Sequence, residues 1–322
     1  VSRSELAVIE PDRFQLAWPA AARDAEGLTR IWLERFKSEH TRYNYARDLT
    51  AWLAWCADCR ISPAEARLAH VDLWIRKQLD EGAADASVVR RISAVSSWYK
   101  YMIANTADDA VPLATRNPTV GCARPDVDQD FSPTIGLSRA EADRLISAAD
   151  NDSPTVAAFV RLLLITGLRV GSVMAAKIED LGYDSGHRVL SLIRKGGHAD
   201  RVAIPPAVGE AIDRMLAQRD IPTSGLLFLT ERGRPLYNAW SFRLLKRLGR
   251  IASVPQAEQL SAHSMRATAI TELLRVVPLQ DVQDFARHRD PRTTRRYDKQ
   301  RGNLDRAGSY VLAGRYGQRR DV

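Results

Sequence analysis

In the first third of the chain the apolar residues keep one rhythm. Within "HTRYNYARDLTAWLAWC", Tyr45, Leu49, Trp52, Leu53 and Cys56 recur every three or four positions, with Thr41 placed to cap the start. "HVDLWIRKQL" repeats the pattern through Val71, Trp74, Ile75 and Leu79. "SVVRRISAVSSWYKYMI" repeats it again through Val88, Ile92, Val95, Tyr99 and Met102. A strand buries alternate residues, so a stretch with this spacing can hide its apolar face only as packed helices.

The rhythm stops in "NPTVGCARPDVDQDFSPTIG", which is rich in Pro, Gly and Asp and reads as a connection between domains. It resumes at Ser138, which with Glu141 forms a capping box ahead of Leu145 and Ile146. "PTVAAFVRLLLITG" predicts a second long helix that ends at Gly167. "HRVLSLIRK" and "ADRVAIP" flank "GGH" and read as a β-hairpin, to which "LLFLT" adds a third short strand. The rest reads as helix up to Arg292. The expected fold is mainly α with a small antiparallel β-sheet, in two domains.

Composition narrows the partners. The 322 residues carry a formal net charge of +8, with 45% hydrophobic and 27% charged residues. The pI is about 9.6. These values fit a globular chain with an anionic partner, most simply nucleic acid. The longest apolar run, "AAFVRLLLITGLRVGSVMAA", is interrupted by Arg161 and Arg169, so no membrane span is expected. The opening residues lack the apolar core of a signal peptide. Three cysteines cannot build a disulfide framework, which suits a reducing cytoplasm. Cys56 and Cys59 form a C-x-x-C without a second pair, and ordinary burial of Cys56 is expected there instead of a metal site.

Five pieces of the second half hold reactive side chains. They are "TGLRVGSV" with Arg169, "IRKGGHADRVAIP" with Lys195, "AHSMRATAI" with His263 and Arg266, "ARHRDPRTTRRY" with His288, and Tyr297 at its end. Singly, each has an ordinary explanation: a helix end, a solvated turn lysine, two side chains on one helix face, an aromatic anchor. Taken together, in this order and with nine residues from His288 to Tyr297, the set resembles the tyrosine recombinases, also called phage integrases. The resemblance spans nearly the whole chain. It divides it into an N-terminal extension (1–23), a helical core-binding, SAM-like DNA-binding domain (24–120), a linker (121–136), a catalytic domain (137–305) and a C-terminal tail for subunit contacts (306–322).

The resemblance implies a site-specific recombinase that cuts and rejoins double-stranded DNA through a 3′-phosphotyrosine intermediate. Bond energy kept in that link removes any need for ATP, metal or other cofactor. In agreement, the sequence has no G-x-x-x-x-G-K-[ST] loop and no carboxylate cluster of the two-metal kind. The implied catalytic residues are Arg169, Lys195, His263, Arg266, His288 and Tyr297. Arg169 and Arg266 offer forked donors to the phosphate oxygens and stay charged at working pH. Tyr297 is the nucleophile, and a phenol with an ordinary pKa near ~10 needs its proton removed. His263 is the acceptor for it. Lys195 is the family's general acid for the leaving 5′ oxygen, and His288 hydrogen-bonds a phosphate oxygen.

Two positions depart from the family. Ser172 stands where an acidic residue is usual after the first arginine. Arg287 stands where glycine usually precedes the histidine, close to the reacting groups.

Candidate DNA contacts are Arg42, Arg90, Arg91 and Lys100 in the first domain. "AWSFRLLKRLGRIA" puts Trp240, Leu244, Leu248 and Ile251 on one face and leaves Arg243, Lys246 and Arg247 for DNA, through phosphates or bases alike. In the tail, Leu304, Tyr310, Val311 and Leu312 suggest a short helix that docks on a neighbouring subunit, in a homotetramer on two DNA sites. An accessory protein is left open. Only some 25 residues precede the core-binding region, which suggests the simpler two-domain type without an arm-binding domain. A mobile-element integrase is the leading expectation and a chromosome- or plasmid-dimer resolving recombinase the alternative. A type IB topoisomerase, and a catalytically inactive DNA-binding protein that keeps the motifs as relics, are the rivals.

Overall fold

The computed structural model describes residues 23–127, 132, 134–193, 199–298, 309, 312 and 313. It divides into two compact units, 1–128 and 129–322. Lys195, at the expected hairpin tip, and most of the tail lie outside the described residues; Leu312 is helical and exposed.

Among the described residues the first unit has four α-helices: α1 (Arg23–Glu34), α2 (Glu39–Asp58), α3 (Leu68–Asp80) and α4 (Asp85–Thr106). Its core is aromatic. Trp32, Trp52, Trp98 and Tyr99 are fully buried, and each finds a partner for its polar atom. Trp32 Nε1 donates to Ser97 Oγ (3.2 Å), and Trp98 Nε1 donates to Thr29 Oγ1 (2.9 Å). Trp52 Nε1 donates to the Tyr99 hydroxyl (3.2 Å), which donates to the Pro63 carbonyl (2.8 Å). The apolar positions expected from the 3.6-residue rhythm of α4 are all buried. The cap of α2 differs from expectation: Ser38, three residues earlier than Thr41, accepts from the Thr41 amide. Ser38 is extended and so can turn its hydroxyl back on the first turn, whereas Thr41 is already helical. Cys56 is buried and Cys59 exposed, both as free thiols, and no metal-binding cluster occurs among the described residues. Burial pushes the Cys56 thiol up to about 12.

In the second unit the capping box predicted from Ser138 and Glu141 opens α5 (Arg139–Asp150). Helix α6 (Pro154–Thr166) is buried on almost every side. It therefore forms the centre of the unit rather than an amphipathic edge. It stops at Gly167, whose φ of 58° is the left-handed conformation that ends helices. A short α7 (Val170–Ala175) follows.

The sheet has order β1–β2–β3, all antiparallel: β1 (Leu181–Asp184), β2 (His187–Ile193) and β3 (Ala199–Ala203). Its third strand differs from expectation. "LLFLT" makes only isolated bridges, Lys177 with Leu226 and Leu229 with Pro235. The strand is instead "LGYD", joined to β2 by Ser185 and Gly186, with φ of 50° and 80°. Two successive positive φ values make the tight turn whose twist suits a hairpin.

Helices α8 (Pro206–Ala217), α9 (Asn238–Ile251), α10 (Ala262–Leu273), α11 (Leu279–Ala286) and α12 (Pro291–Arg295) follow. Helices α5, α8 and α10 all pack on α6. Helix α9 buries Ser241, Leu244, Leu245, Leu248 and Gly249, while Ile251 is exposed. Leu244, Leu248 and the partly buried Trp240 thus face the core as expected, and only Ile251 leaves the stripe. No helix among the described residues is long and apolar enough to cross a membrane.

Candidate active site

Four separate pieces of chain deliver the site. Arg169 sits at the junction that follows Gly167, as the cap of α7. His263 and Arg266 lie on the first turns of α10, three apart and so on one face. His288 follows α11, and Tyr297 follows α12. Asp290 caps α12, with Pro291 at its first position. This compact stop and restart explains how nine residues return the chain to the pocket.

Arg169, His263, Arg266, His288 and Tyr297 line one pocket of about 310 Å³. Ser132, Thr134, Thr293 and Arg296 complete its wall. Ser132 and Thr134 come from the stretch expected to be linker, and the Ser132 amide donates to the Arg296 carbonyl (3.2 Å).

Arg266 is buried, with 3% of its surface exposed, and every interaction around it constrains its direction. One terminal nitrogen donates to the Gly167 carbonyl, and the other donates to the Ala286 carbonyl. That second nitrogen also meets His288 Nε2 at 2.9 Å. A guanidinium only donates, so His288 Nε2 accepts, and its Nδ1–H is left to donate to Thr294 Oγ1 (2.9 Å). Burial, then Arg266 and Arg169, push the His288 pKa down to about 4, so the ring is neutral. Through this contact His288 orients the Arg266 guanidinium. Burial and the charge of Arg169 also draw the Arg266 pKa down to about 10, which leaves it charged at neutral pH.

Tyr297 is 5% exposed and packs against Ala267, Ile270, Leu274, Val282 and Ala286. Its ring is nearly parallel to that of His288, 11° between planes. Its hydroxyl lies 3.1 Å from His263 Nε2. Partial burial, then Arg266 and Arg169, hold His263 below the usual imidazole range, so it stays neutral and able to take a proton.

The motifs alone did not single out Thr294, fully buried behind His288, or the Gly167 and Ala286 carbonyls behind Arg266. The adjacent threonines of "PRTTRRY" are the only trace of Thr294. Ser172 is partly buried on α7. Arg287 adopts a left-handed φ of 54° as the cap of α11, a conformation glycine takes at no steric cost.

Most of the candidate DNA contacts already have protein partners. Arg42 donates to the Phe36 carbonyl (2.8 Å), Arg90 pairs with buried Asp48, and Arg91 donates to Gln78 Oε1 (2.7 Å). Arg243 donates to the Tyr237 hydroxyl (2.6 Å), Lys246 lies 3.7 Å from Glu258, and Arg247 lies 2.5 Å from Asp152. Lys100 is exposed and shares a groove of the first unit with Arg35 and Arg124.

The profile of the Phage integrase family matches residues 136–303, and that of its N-terminal SAM-like domain matches residues 28–106. The chain belongs to this family, the tyrosine recombinases. It is 27% identical over 261 residues to Tyrosine recombinase XerD of Chlorobaculum tepidum, covering 77% of this chain and 81% of that protein. Among solved structures, the XerH site-specific recombinase bound to a palindromic difH substrate superposes with a TM-score of 0.67. The two are 18% identical, over 84% of this chain and 80% of that one. The Tn1549 transposon integrase in complex with transposon right-end DNA gives a TM-score of 0.65 at 18% identity, over 90% of this chain and 99% of that one. The protein is a tyrosine recombinase enzyme, acting in site-specific DNA recombination.

Proposed function

We propose that Tyr297 attacks a DNA backbone phosphate, with Arg169 and Arg266 holding its non-bridging oxygens. The phenol proton passes to His263 as the Tyr297 oxygen–phosphorus bond forms. The bond from phosphorus to the 5′ oxygen breaks, and that oxygen takes a proton from Lys195. This leaves a 3′-phosphotyrosine and a free 5′ hydroxyl. The reverse attack by a 5′ hydroxyl of a partner duplex joins the exchanged strand. The observation that carries the reading is the 3.1 Å approach of the Tyr297 hydroxyl to His263 Nε2, in a pocket that also holds both arginines. Charge developing on the phosphate oxygens meets donors already oriented by buried carbonyls and His288, so little reorganisation is needed.

The substrate is duplex DNA bearing a specific recombination site, engaged by a homotetramer on two such sites. In the first unit, Lys100 with Arg35 and Arg124 forms the cationic groove best suited to the DNA backbone. Arg42, Arg90, Arg91, Arg243, Lys246 and Arg247 contribute after giving up or sharing their internal partners. Relatives named XerC and XerD, matched over most of both chains, favour resolution of chromosome or plasmid dimers over service to a mobile element.

Covalent capture tests the chemistry. The protein and its Tyr297→Phe variant are incubated with duplexes of randomised sequence, each nicked to trap cleavage, then denatured. DNA attached to the unaltered protein alone establishes the nucleophile, and its sequence identifies the site. Tight binding without attachment by either would identify a DNA-binding relic. A trapped sequence found once on the host chromosome would support dimer resolution, and one found at the ends of an element would support integration.

A further inference from the structure

Arg287 combines two features that a surface arginine does not need. Its backbone is left-handed at φ 54°, where a side chain is strained, and its guanidinium is held inside the protein. The Nε atom donates to Asp200 Oδ2, and one terminal nitrogen donates to the Phe285 carbonyl at 2.8 Å. The side chains of Arg287 and Asp200 are only 14% and 16% exposed. An ion pair so shielded from water is far less screened than those on the surface.

The two ends of this pair sit at informative places. Arg287 immediately precedes His288, whose ring orients Arg266. Asp200 is the second residue of β3 and pairs in register with Leu192 of β2. The connection from β2 to β3 is the segment that contains Lys195. One part-buried ion pair therefore ties the turn end of that hairpin to the loop whose His288 orients Arg266. A glycine at 287 would relax the backbone and remove the tie.

We infer that Arg287 and Asp200 are a positioning pair, which sets the β2–β3 hairpin relative to the bound phosphate and so governs protonation of the leaving 5′ oxygen. The inference rests on the proposed cleavage chemistry and on Lys195 as proton donor. It assigns a purpose to the replacement of the usual glycine by arginine in this chain.

The test separates protonation from all other steps. Two pools of nicked duplexes with randomised flanks are prepared, one with an ordinary phosphodiester at a fixed junction and one with a 5′-bridging sulfur there. A thiolate leaves without a proton, so cleavage of the second pool does not need the general acid. Arg287→Gly and Asp200→Asn are each expected to slow attachment to the first pool by about tenfold or more, the lower part of the range for a general acid. Both are expected to match the unaltered protein on the second pool. The Arg287→Asp, Asp200→Arg exchange, which keeps the pair with its charges reversed and puts a residue tolerant of left-handed backbone at 287, is expected to recover part of the loss. Equal slowing on both pools would overturn the inference, assigning Arg287 to phosphate binding or to stability. Full activity of both single variants on both pools would also overturn it. Failure of the unaltered protein to attach to either pool would instead refute the cleavage reading on which the inference stands.

Discussion

The Tyr297 hydroxyl lies 3.1 Å from Nε2 of His263, although 34 positions of chain separate them. With Nε2 unprotonated, the phenol donates along this line, and removing the proton produces the phenolate needed for attack. Partial burial first, then the charges of Arg266 and Arg169, hold His263 below the usual imidazole range, so the acceptor is already in its useful form at neutral pH. The positive pocket that would bind phosphate thus adds to the burial that keeps the base neutral.

This sets the pH dependence of cleavage. Because the His263 pKa is lowered from 6.5, the rate should be level through pH 7. It should begin to fall only in the acid range below 6.5, by about tenfold per pH unit once the base is mostly protonated. His263→Ala should lose this limb along with about 10²–10⁴ of rate. Single-turnover attachment of nicked DNA across pH 4.5–8 would measure both, and an unchanged acid limb in the variant would remove His263 from the role.

His288 predicts an acid sensitivity of the fold itself. Its folded pKa of about 4 lies below the 6.5 of an ordinary imidazole. The unfolded chain therefore takes up the proton first. The His288 contribution is fully present above pH 6.5 and is lost as the pH falls towards 4. The whole shift corresponds to a stability change on the order of 3 kcal/mol. His288→Gln should flatten the dependence in this window, measured by urea unfolding of the full chain at several pH values. Thr294→Val should cost about 1–3 kcal/mol at pH 7, since the Nδ1–H would lose its buried acceptor.

Gly167→Ala should damage stability and cleavage together. A side chain at φ 58° is strained, and its Cβ would stand 2.7 Å from the Phe285 ring. The left-handed backbone alone costs about 1–2 kcal/mol. Shifting Gly167 also moves the carbonyl that holds Arg266, so the variant should attach to DNA more slowly even at temperatures where it stays folded. Thermal unfolding beside single-turnover cleavage at low temperature would separate the effects; normal cleavage by the folded variant would show that this carbonyl is not needed.

Arg90 is expected to matter first for the fold. Asp48 is 1% exposed and its carboxyl is raised by burial against the pull of Arg90, Arg47 and Arg91. Arg90→Ala would leave that carboxylate with Arg47, 3.9 Å away, and the weaker pull of Arg91. The loss should be on the order of 2 kcal/mol, below the usual range for a broken buried pair because the Arg90 side chain is 34% exposed. If the variant unfolds like the unaltered protein but binds DNA with a reduced salt dependence, Arg90 is a phosphate contact instead.

Local chemistry determined much of this protein from the sequence alone. The rhythm of Val88, Ile92, Val95, Tyr99 and Met102 makes α4, the box of Ser138 and Glu141 opens α5, and Gly167 closes α6, because each depends on neighbours within a few residues. The order of Arg169, His263, Arg266, His288 and Tyr297 was likewise legible, since an anion and a phenol nucleophile demand those side chains wherever the chain goes. Tertiary structure decided the rest. "LLFLT" has strand-like composition, yet the sheet takes "LGYD", because Ser185 and Gly186 supply a hairpin turn that brings it beside β2. Arg90 reads as a solvated cation until Asp48 on another helix is found buried opposite it. Thr294 behind His288, the carbonyls behind Arg266 and the Asp200 partner of Arg287 join residues up to 99 positions apart. Their direction comes from packing, which no local pattern of residues encodes.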